Sequence, residues 1–382
     1  MIGNMNCAST VVTIVRRGML AVGAVFCLLS VDFPASAQEA HFVTFEAPGA
    51  GTSGGQGTAA QGINLQGEIA GFYLDSNSVY HGFVRTRRGD ISTFDAPGAG
   101  TVATLPYGNN PEGKVAGFYF DANGMSHGFV RAERGNITPF DAPGAADTYA
   151  AQINPAGVIA GDYLDAGYVS HAYVRAPDGK ITPFDAPGAG KGAGQGTMTG
   201  FIDCINPAGA MTGYVIDASN VYHGYVRAPD GKITPFDAPG AGTGAGQGTF
   251  PAGINLFGAI EGDYVDAGNV SHGFVRAPSG TIYTFDAPGA DVTPGDNGGT
   301  YPQSINLFGA ISGYYRDANS VYHGFVRDAS GAIRSFEAPG ADTTPGSNNG
   351  TYPSGMNDAG AITGAYYDPQ SIAHGFLLIP EK

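Results

Sequence analysis

A chain of 382 residues with net charge −15 lacks the clustered Lys and Arg of an extended nucleic-acid or anionic-lipid surface, so neither partner is expected. Its 62 Gly and 25 Pro approach the composition of a disordered chain, but that reading holds only without a period. Of the three cysteines, Cys7 and Cys27 lie near the N-terminus and leave Cys204 alone, so no intrachain disulfide is expected in a processed chain.

Met1 to Ala37 stands apart from the rest. Arg16-Arg17 precede an apolar run from Met19 to Val31, and Ala35-Ser36-Ala37 supplies the small residues of a cleavage site. This predicts a signal peptide over 1–37 and a periplasmic or extracellular protein. The apolar run is short of the roughly 20 residues that span a bilayer, so no membrane span is expected after cleavage.

From His41 onward one unit of roughly 50 residues recurs, the period of arrays and propellers. Its turn asparagines are Asn64, Asn110, Asn154, Asn206, Asn255, Asn306 and Asn357. An aspartate follows each at +11: Asp75, Asp121, Asp165, Asp217, Asp266, Asp317 and Asp368. A histidine follows at +17: His81, His127, His171, His223, His272, His323 and His374. After the first six histidines a Phe stands 13 residues on, and the variable length, 14 to 22 residues, falls between that Phe and the next Asn.

Four strands fit the fixed part. Asn154-Pro155-Ala156-Gly157 suits a type I turn between a strand ending at Ile153 and another over 158–164. Ile159, Gly161 and Tyr163 share one face of that second strand, as do Ile260, Gly262 and Tyr264. Strands three and four read as a hairpin. With Asp178-Gly179 as a two-residue turn, Arg175 faces Thr182, Tyr173 faces Phe184 and His171 faces Ala186. Phe83 with Phe94 and Phe274 with Phe285 repeat that aromatic pair, worth up to about 1 kcal/mol.

The chain starts and stops mid-unit. His41 to Phe45 reads as a lone fourth strand, and the last unit, ending His374-Gly375-Phe376-Leu377-Leu378, lacks one. Closing a ring removes both exposed edges. The expected fold is all-β: a seven-bladed β-propeller of four-stranded antiparallel blades over 38–382, closed by the N-terminal strand completing the last blade. An open β-solenoid competes, but gives no reason for complementary ends.

The elements Gly-Ile-Asn-x-x-Gly, Ile-x-Gly-x-Tyr and His-Gly-Phe, with His-Ala-Tyr at His171, resemble the HAF repeats of bacterial extracellular proteins. The resemblance runs from His41 to Leu378. It implies an exported repeat protein and brings no catalytic residues with it.

The Asp/His pairs invite a metal or acid-base reading, but catalysis needs one site whereas a structural tie is needed in every blade. They are therefore read as structural. A second, acidic ring comprises Glu46, Asp95, Asp141, Asp185, Asp237, Asp286 and Glu337, each before Ala-Pro-Gly. A third comprises Arg85, Arg131, Arg175, Arg227, Arg276 and Arg327, with Leu378 in the seventh place. Arginine stems over aromatic rings, with heads near those acids, would satisfy both sets. No cofactor is expected. Asp121-Ala122-Asn123-Gly124 hints at calcium but lacks the carboxylates of an EF-hand loop.

Gly49 to Gln61, Gly188 to Thr199 and Gly240 to Phe250 are glycine-rich but lead into no Lys-Ser/Thr or helix, which excludes a phosphate loop. They are expected as inter-blade crossings on the face that carries the Asp/His turns. Symmetry is broken at Asp203-Cys204 and in the long loops Asp291 to Tyr301 and Asp342 to Tyr352. Cys204 is read as a small buried residue. The expected function is a monomeric, non-catalytic binding or scaffold propeller recognising a glycan, a protein or an envelope component through its loop face. The alternative is a cation-dependent hydrolase or lyase acting on an extracellular polysaccharide or ester, its ion held by the acidic ring.

Overall fold

The computed structural model describes residues 41–98, 103–200, 202–295 and 298–380; the expected signal peptide over 1–37 lies outside the described residues. Every regular element described is a strand, and there are 28. After β1 (His41–Phe45) come β2 (Gly57–Ile63), β3 (Ile69–Leu74), β4 (Tyr80–Arg85) and β5 (Ile91–Phe94), paired antiparallel in that order. The pattern returns in β6 (Ala103–Asn109), β7 (Val115–Phe120), β8 (Ser126–Arg131) and β9 (Ile137–Phe140). It returns again in β10 (Asp147–Ile153), β11 (Ile159–Leu164), β12 (Ser170–Arg175) and β13 (Ile181–Phe184). The next group is β14 (Gly196–Thr199), β15 (Met211–Ile216), β16 (Tyr222–Arg227) and β17 (Ile233–Phe236). It is followed by β18 (Gly248–Ile254), β19 (Ile260–Val265), β20 (Ser271–Arg276) and β21 (Ile282–Phe285). Then come β22 (Gly299–Ile305), β23 (Ile311–Arg316), β24 (Tyr322–Arg327) and β25 (Ile333–Phe336). Finally β26 (Gly350–Met356), β27 (Ile362–Tyr367) and β28 (Ala373–Ile379) pair in turn, and β28 takes β1 as its fourth neighbour.

Consecutive groups touch where the third strand of one meets the first strand of the next, as at Tyr80 with Ala103 and Ser271 with Gly299. The same contact joins Ala373 of β28 to Gly57 of β2. The contacts thus lead from the last group back to the first.

The turn asparagines explain much of this order. The Asn154 amide donates to the carbonyl of Val158, and its Oδ1 accepts the Val158 N–H at 3.0 Å, which fixes the turn between β10 and β11. Its Nδ2 then donates to the backbone oxygen of Asn206 at 3.1 Å, in the next group. Asn64, Asn110, Asn206 and Asn255 reach forward in the same way, and Asn357 reaches Asn64. One residue type both makes each turn and links it to its neighbour. That double role accounts for its fixed place in the period.

The core repeats with the sequence. Phe83, Phe129, Tyr173, Tyr225, Phe274, Phe325 and Phe376 are fully buried at equivalent places on the third strands. The hairpin register differs from the expected one. Ala176 donates to Lys180 and Gly179 to Ala176, so the loop is Pro177-Asp178-Gly179, three residues in place of two. Arg175 therefore pairs with Ile181 and Ala172 with Phe184. A slip of one residue reverses the face each side chain presents. Tyr173 and Phe184 are accordingly not partners. The fourth-strand Phe packs instead against the third-strand aromatic of the following group, as in Phe94 with Phe129 at 6.1 Å and Phe236 with Phe274 at 6.0 Å, both edge to face.

This register also explains the glycine of His-Gly-Phe. A Cβ on Gly128 would stand 2.6 Å from the Phe140 ring, so the glycine makes room for the ring to cross. Ala172 shows that one methyl fits in a repeat adjusted to it. A branched side chain does not have that latitude. Gly128→Val is expected to destabilise by about 1–3 kcal/mol in a thermal or denaturant melt, and an unchanged midpoint would count against the crossing.

Candidate functional site

In each group the turn between strands two and three is built on the aspartate. Asp75 Oδ1 accepts the N–H groups of Asn77 and Val79 at 2.8 and 2.9 Å. The Val79 N–H, foremost, holds the Asp75 carboxyl below its ordinary range, and Met125 does the same for Asp121. Across the strand, the histidine stands between two acids. His81 Nε2 lies 3.6 Å from Asp75, and Nδ1 lies 2.8 Å from Asp95 of the acidic ring.

His127, His171, His223 and His272 repeat both contacts, with Asp121, Asp165, Asp217 and Asp266 on one side and Asp141, Asp185, Asp237 and Asp286 on the other. His323 joins Asp317 to Glu337, and His374 joins Asp368 to Glu46. The Glu337 hydrogen bond raises the His323 pKa. Every imidazole but that of His223, which faces Val215, also stacks on a strand-two tyrosine, as His272 does on Tyr264 at 5.1 Å.

The acids are thus taken by histidine, and the arginines differ from expectation. Each guanidinium lies over the fourth-strand Phe of the preceding group: Arg85 over Phe45, Arg131 over Phe94, and so on to Arg327 over Phe285, at 4.6 to 4.9 Å. It is the head, not the stem, that lies over the ring, and it hydrogen-bonds toward its own hairpin, where Arg327 Nη1 donates to the Asp328 carbonyl at 3.3 Å. Arg175 pairs with Ile181 beside the hairpin loop, whereas Asp185 lies past Phe184 at the other end of strand four, which keeps the two apart. Leu378, in the seventh place, packs with Phe376 and Phe336.

Crossing loops and Asp/His turns share one end of the sheet. Gln195 Nε2 donates to Asn220 Oδ1 at 3.1 Å and Gln247 Nε2 to Asn269 Oδ1 at 2.8 Å, each tying a glycine-rich loop to the turn of the group it enters. The last residues of those stretches are already strand, since β2, β14 and β18 begin at Gly57, Gly196 and Gly248.

On this face the later repeats carry a cluster of half-buried tyrosines, at places where earlier repeats pack Tyr214 and Tyr222 on Phe250 and Phe118 on Tyr149. Tyr314 stacks on Tyr301 at 5.2 Å and meets Tyr352 at 5.3 Å; Tyr352 also meets Tyr322 at 4.8 Å and Tyr367 at 5.5 Å. Arg316 borders it, hydrogen-bonded to Ser320 and 4.0 Å from Asp291.

The second departure from symmetry is internal. Gly196 to Asn206 spans ten positions where Gly57 to Asn64 and Gly248 to Asn255 span seven. The additional residues carry Asp203, whose backbone is left-handed at φ 52°. Its carboxyl accepts Gln152 Nε2 at 3.0 Å from one repeat and Ser304 Oγ from another. Ser304 in turn contacts Met356, and Ser354 Oγ donates to the Ala60 carbonyl, so the first strands face one another around the interior. Burial pushes the Asp203 carboxyl up to about 6. Cys204 is fully buried among Ala151, Ala160 and Met211. Among the described residues no three His, Cys, Asp or Glu side chains converge as a metal site.

No protein-family model matches the sequence, and no curated protein does. Solved structures do. Virginiamycin B lyase from Staphylococcus aureus aligns with TM-score 0.55 at 16% identity, over 90% of this chain and 100% of its own. The β-propeller domain of the trilobed protease from Pyrococcus furiosus, described as an open velcro topology, gives 0.53 at 8% identity, over 85% and 96%. The fold is a β-propeller. The BP39L lectin from Burkholderia pseudomallei gives 0.51 at 10% identity, over 85% and 96%. At such identities the likeness is one of fold, and a lyase, a protease domain and a lectin share it.

The clamps have a direct test. His272→Ala removes the link between Asp266 and Asp286 and the stack on Tyr264, for an expected loss of about 1 kcal/mol. Ligand affinity should stay intact. Weaker binding at unchanged stability would contradict a structural role.

Proposed function

We propose that the chain is an exported, monomeric seven-bladed propeller of the HAF-repeat kind, each four-stranded group a blade, that binds a glycan without catalysis. The observation carrying this is the tyrosine cluster of Tyr301, Tyr314, Tyr322, Tyr352 and Tyr367 on the loop face, bordered by Arg316 and Asp291. Sugar rings present C–H faces that stack on aromatic rings, and hydroxyls that charged and amide groups can bind. Binding is favoured over a cation-dependent hydrolase or lyase because each acid of the Glu46 ring is engaged with its own histidine.

With no Trp, intrinsic fluorescence comes from the 20 Tyr, among them the five of this cluster. A glycan array followed by fluorescence titration should find a binder whose affinity falls at least about tenfold in Tyr322→Ala, by loss of one stacking platform. Tyr168→Ala, at an exposed turn in another repeat, should leave it unchanged. A blank array, or equal losses in both variants, would refute the reading.

A further inference from the structure

We infer that Glu261 and Asp203 together hold a divalent cation of the calcium class in the interior of the ring, a site independent of the glycan surface. The position six residues after the turn asparagine reads Ala70, Ala116, Ala160, Thr212, Ser312 and Thr363 in six repeats, and Glu261 in the fifth. All of these are buried to the same degree, and Glu261 is 0% exposed. A carboxylate has replaced a methyl or hydroxyl in a space built for a small side chain.

Its surroundings do not satisfy it. Neither Oε1 nor Oε2 has a hydrogen bond of ordinary geometry, although the Gly253 amide stands beside them. A Cβ on Gly253 would fall 2.7 Å from Glu261 Oε1 and 3.4 Å from Asp203 Cβ, so Glu261 reaches into the space that glycine vacates and Asp203 borders it. Ser304, which donates to Asp203, is fully buried there, and Ser312 Oγ on the paired strand also lacks a partner. Asp203 itself is only half-buried, which leaves the spot a route to solvent.

A buried carboxylate without donors costs several kcal/mol. A proton would remove the charge but leave an O–H with no acceptor. A dication between the two carboxylates would neutralise both, and such a cation takes oxygen ligands, here the carboxylates with the Ser304 hydroxyl close by. Sulfur is not on offer, because Cys204 packs into the apolar cluster of Ala151, Ala160 and Met211. Two carboxylates place the affinity with weaker calcium sites, dissociating in the range of about 10⁻⁴ to 10⁻³ M.

The test is a thermal melt of metal-stripped protein in CaCl2, with MgCl2 and NaCl at matched ionic strength, alongside equilibrium dialysis for stoichiometry. One calcium per chain and an upward shift of several degrees are expected at saturation. Glu261→Gln and Asp203→Asn should each abolish both responses, while Asp286→Asn, in an outer clamp, should keep them. Should Glu261→Gln fail to fold, Asp203→Asn decides. An absence of bound calcium, or a calcium shift that survives both substitutions, would overturn the proposal.

Discussion

A chain lacking residues 41–48 is expected to lose its cooperative melt near room temperature or to self-associate. β1 supplies five residues of ladder to β28, from His41 with Ile379 to Phe45 with Gly375. Its side chains face both ways. Phe42 packs on Phe336 and Phe376 at 6.0 Å, at the end of the chain. Phe45 meets Phe83 edge-on at 6.0 Å and lies under the Arg85 guanidinium at 4.9 Å, in the first group. Beyond the strand, Glu46 holds His374 and accepts from Thr58 Oγ1, whose oxygen also accepts the Ala47 N–H.

Two half-buried aromatics, each worth at most about 1.5–3 kcal/mol, with the ladder and these ties, make a large share of the about 5–15 kcal/mol that holds a typical domain. The deletion also bares β28 as an edge. Adding a peptide of residues 41–48 in trans should restore the transition in circular dichroism. A monodisperse deletion protein with the full-length midpoint would refute the role of β1 as the closing strand.

Much of this was readable from spacing. The constant interval from Asn to Asp to His reflects three strands and two turns with no slack, and the complementary ends foretold the pairing of β1 with β28. The hairpin failed by one residue because Pro177-Asp178-Gly179 closes a three-residue loop, and Asp-Gly alone cannot tell that from a two-residue one. That single slip moved Phe184 from a cross-strand partner to an inter-group one. It also sets the histidine, and not the residue after it, across from the acid that ends strand four, as His171 meets Asp185. Asp203 was visible as a break in symmetry, but its reach to Gln152 and Ser304 was not, since contacts across a ring leave no trace in local sequence. Glu261 did carry a signal, a lone acid in a column of Ala, Ser and Thr. It passes unnoticed when Glu is counted with surface residues and not aligned by repeat.

Glu261 is also where the largest gain from a single substitution is expected. In divalent-free buffer at pH 8, Glu261→Gln should stabilise the protein by about 2–4 kcal/mol, the scale of an uncompensated buried charge. Burial raises its pKa well above the ordinary 4.5, with Asp203 nearby adding to the effect. A carboxyl raised in the fold contributes stability fully below its unfolded pKa and loses it as pH rises through the folded value. Asp203 and Asp162, each raised to about 6, and Asp263, raised to about 7, act with the same sign. The turn aspartates such as Asp75, lowered in the fold, act oppositely and lose their contribution only as pH falls below 3.8. The native protein should therefore be most stable in mildly acidic buffer and weaken toward pH 8. Glu261→Gln should flatten that decline while changing little at pH 4. Calcium added at pH 8 should then stabilise the native chain and leave the variant unmoved, because the charge that destabilises the empty fold is the one that would bind the ion. A variant less stable than the native chain at pH 8 without divalent ions would mean that the carboxylate has a partner after all, and would remove the basis for both expectations.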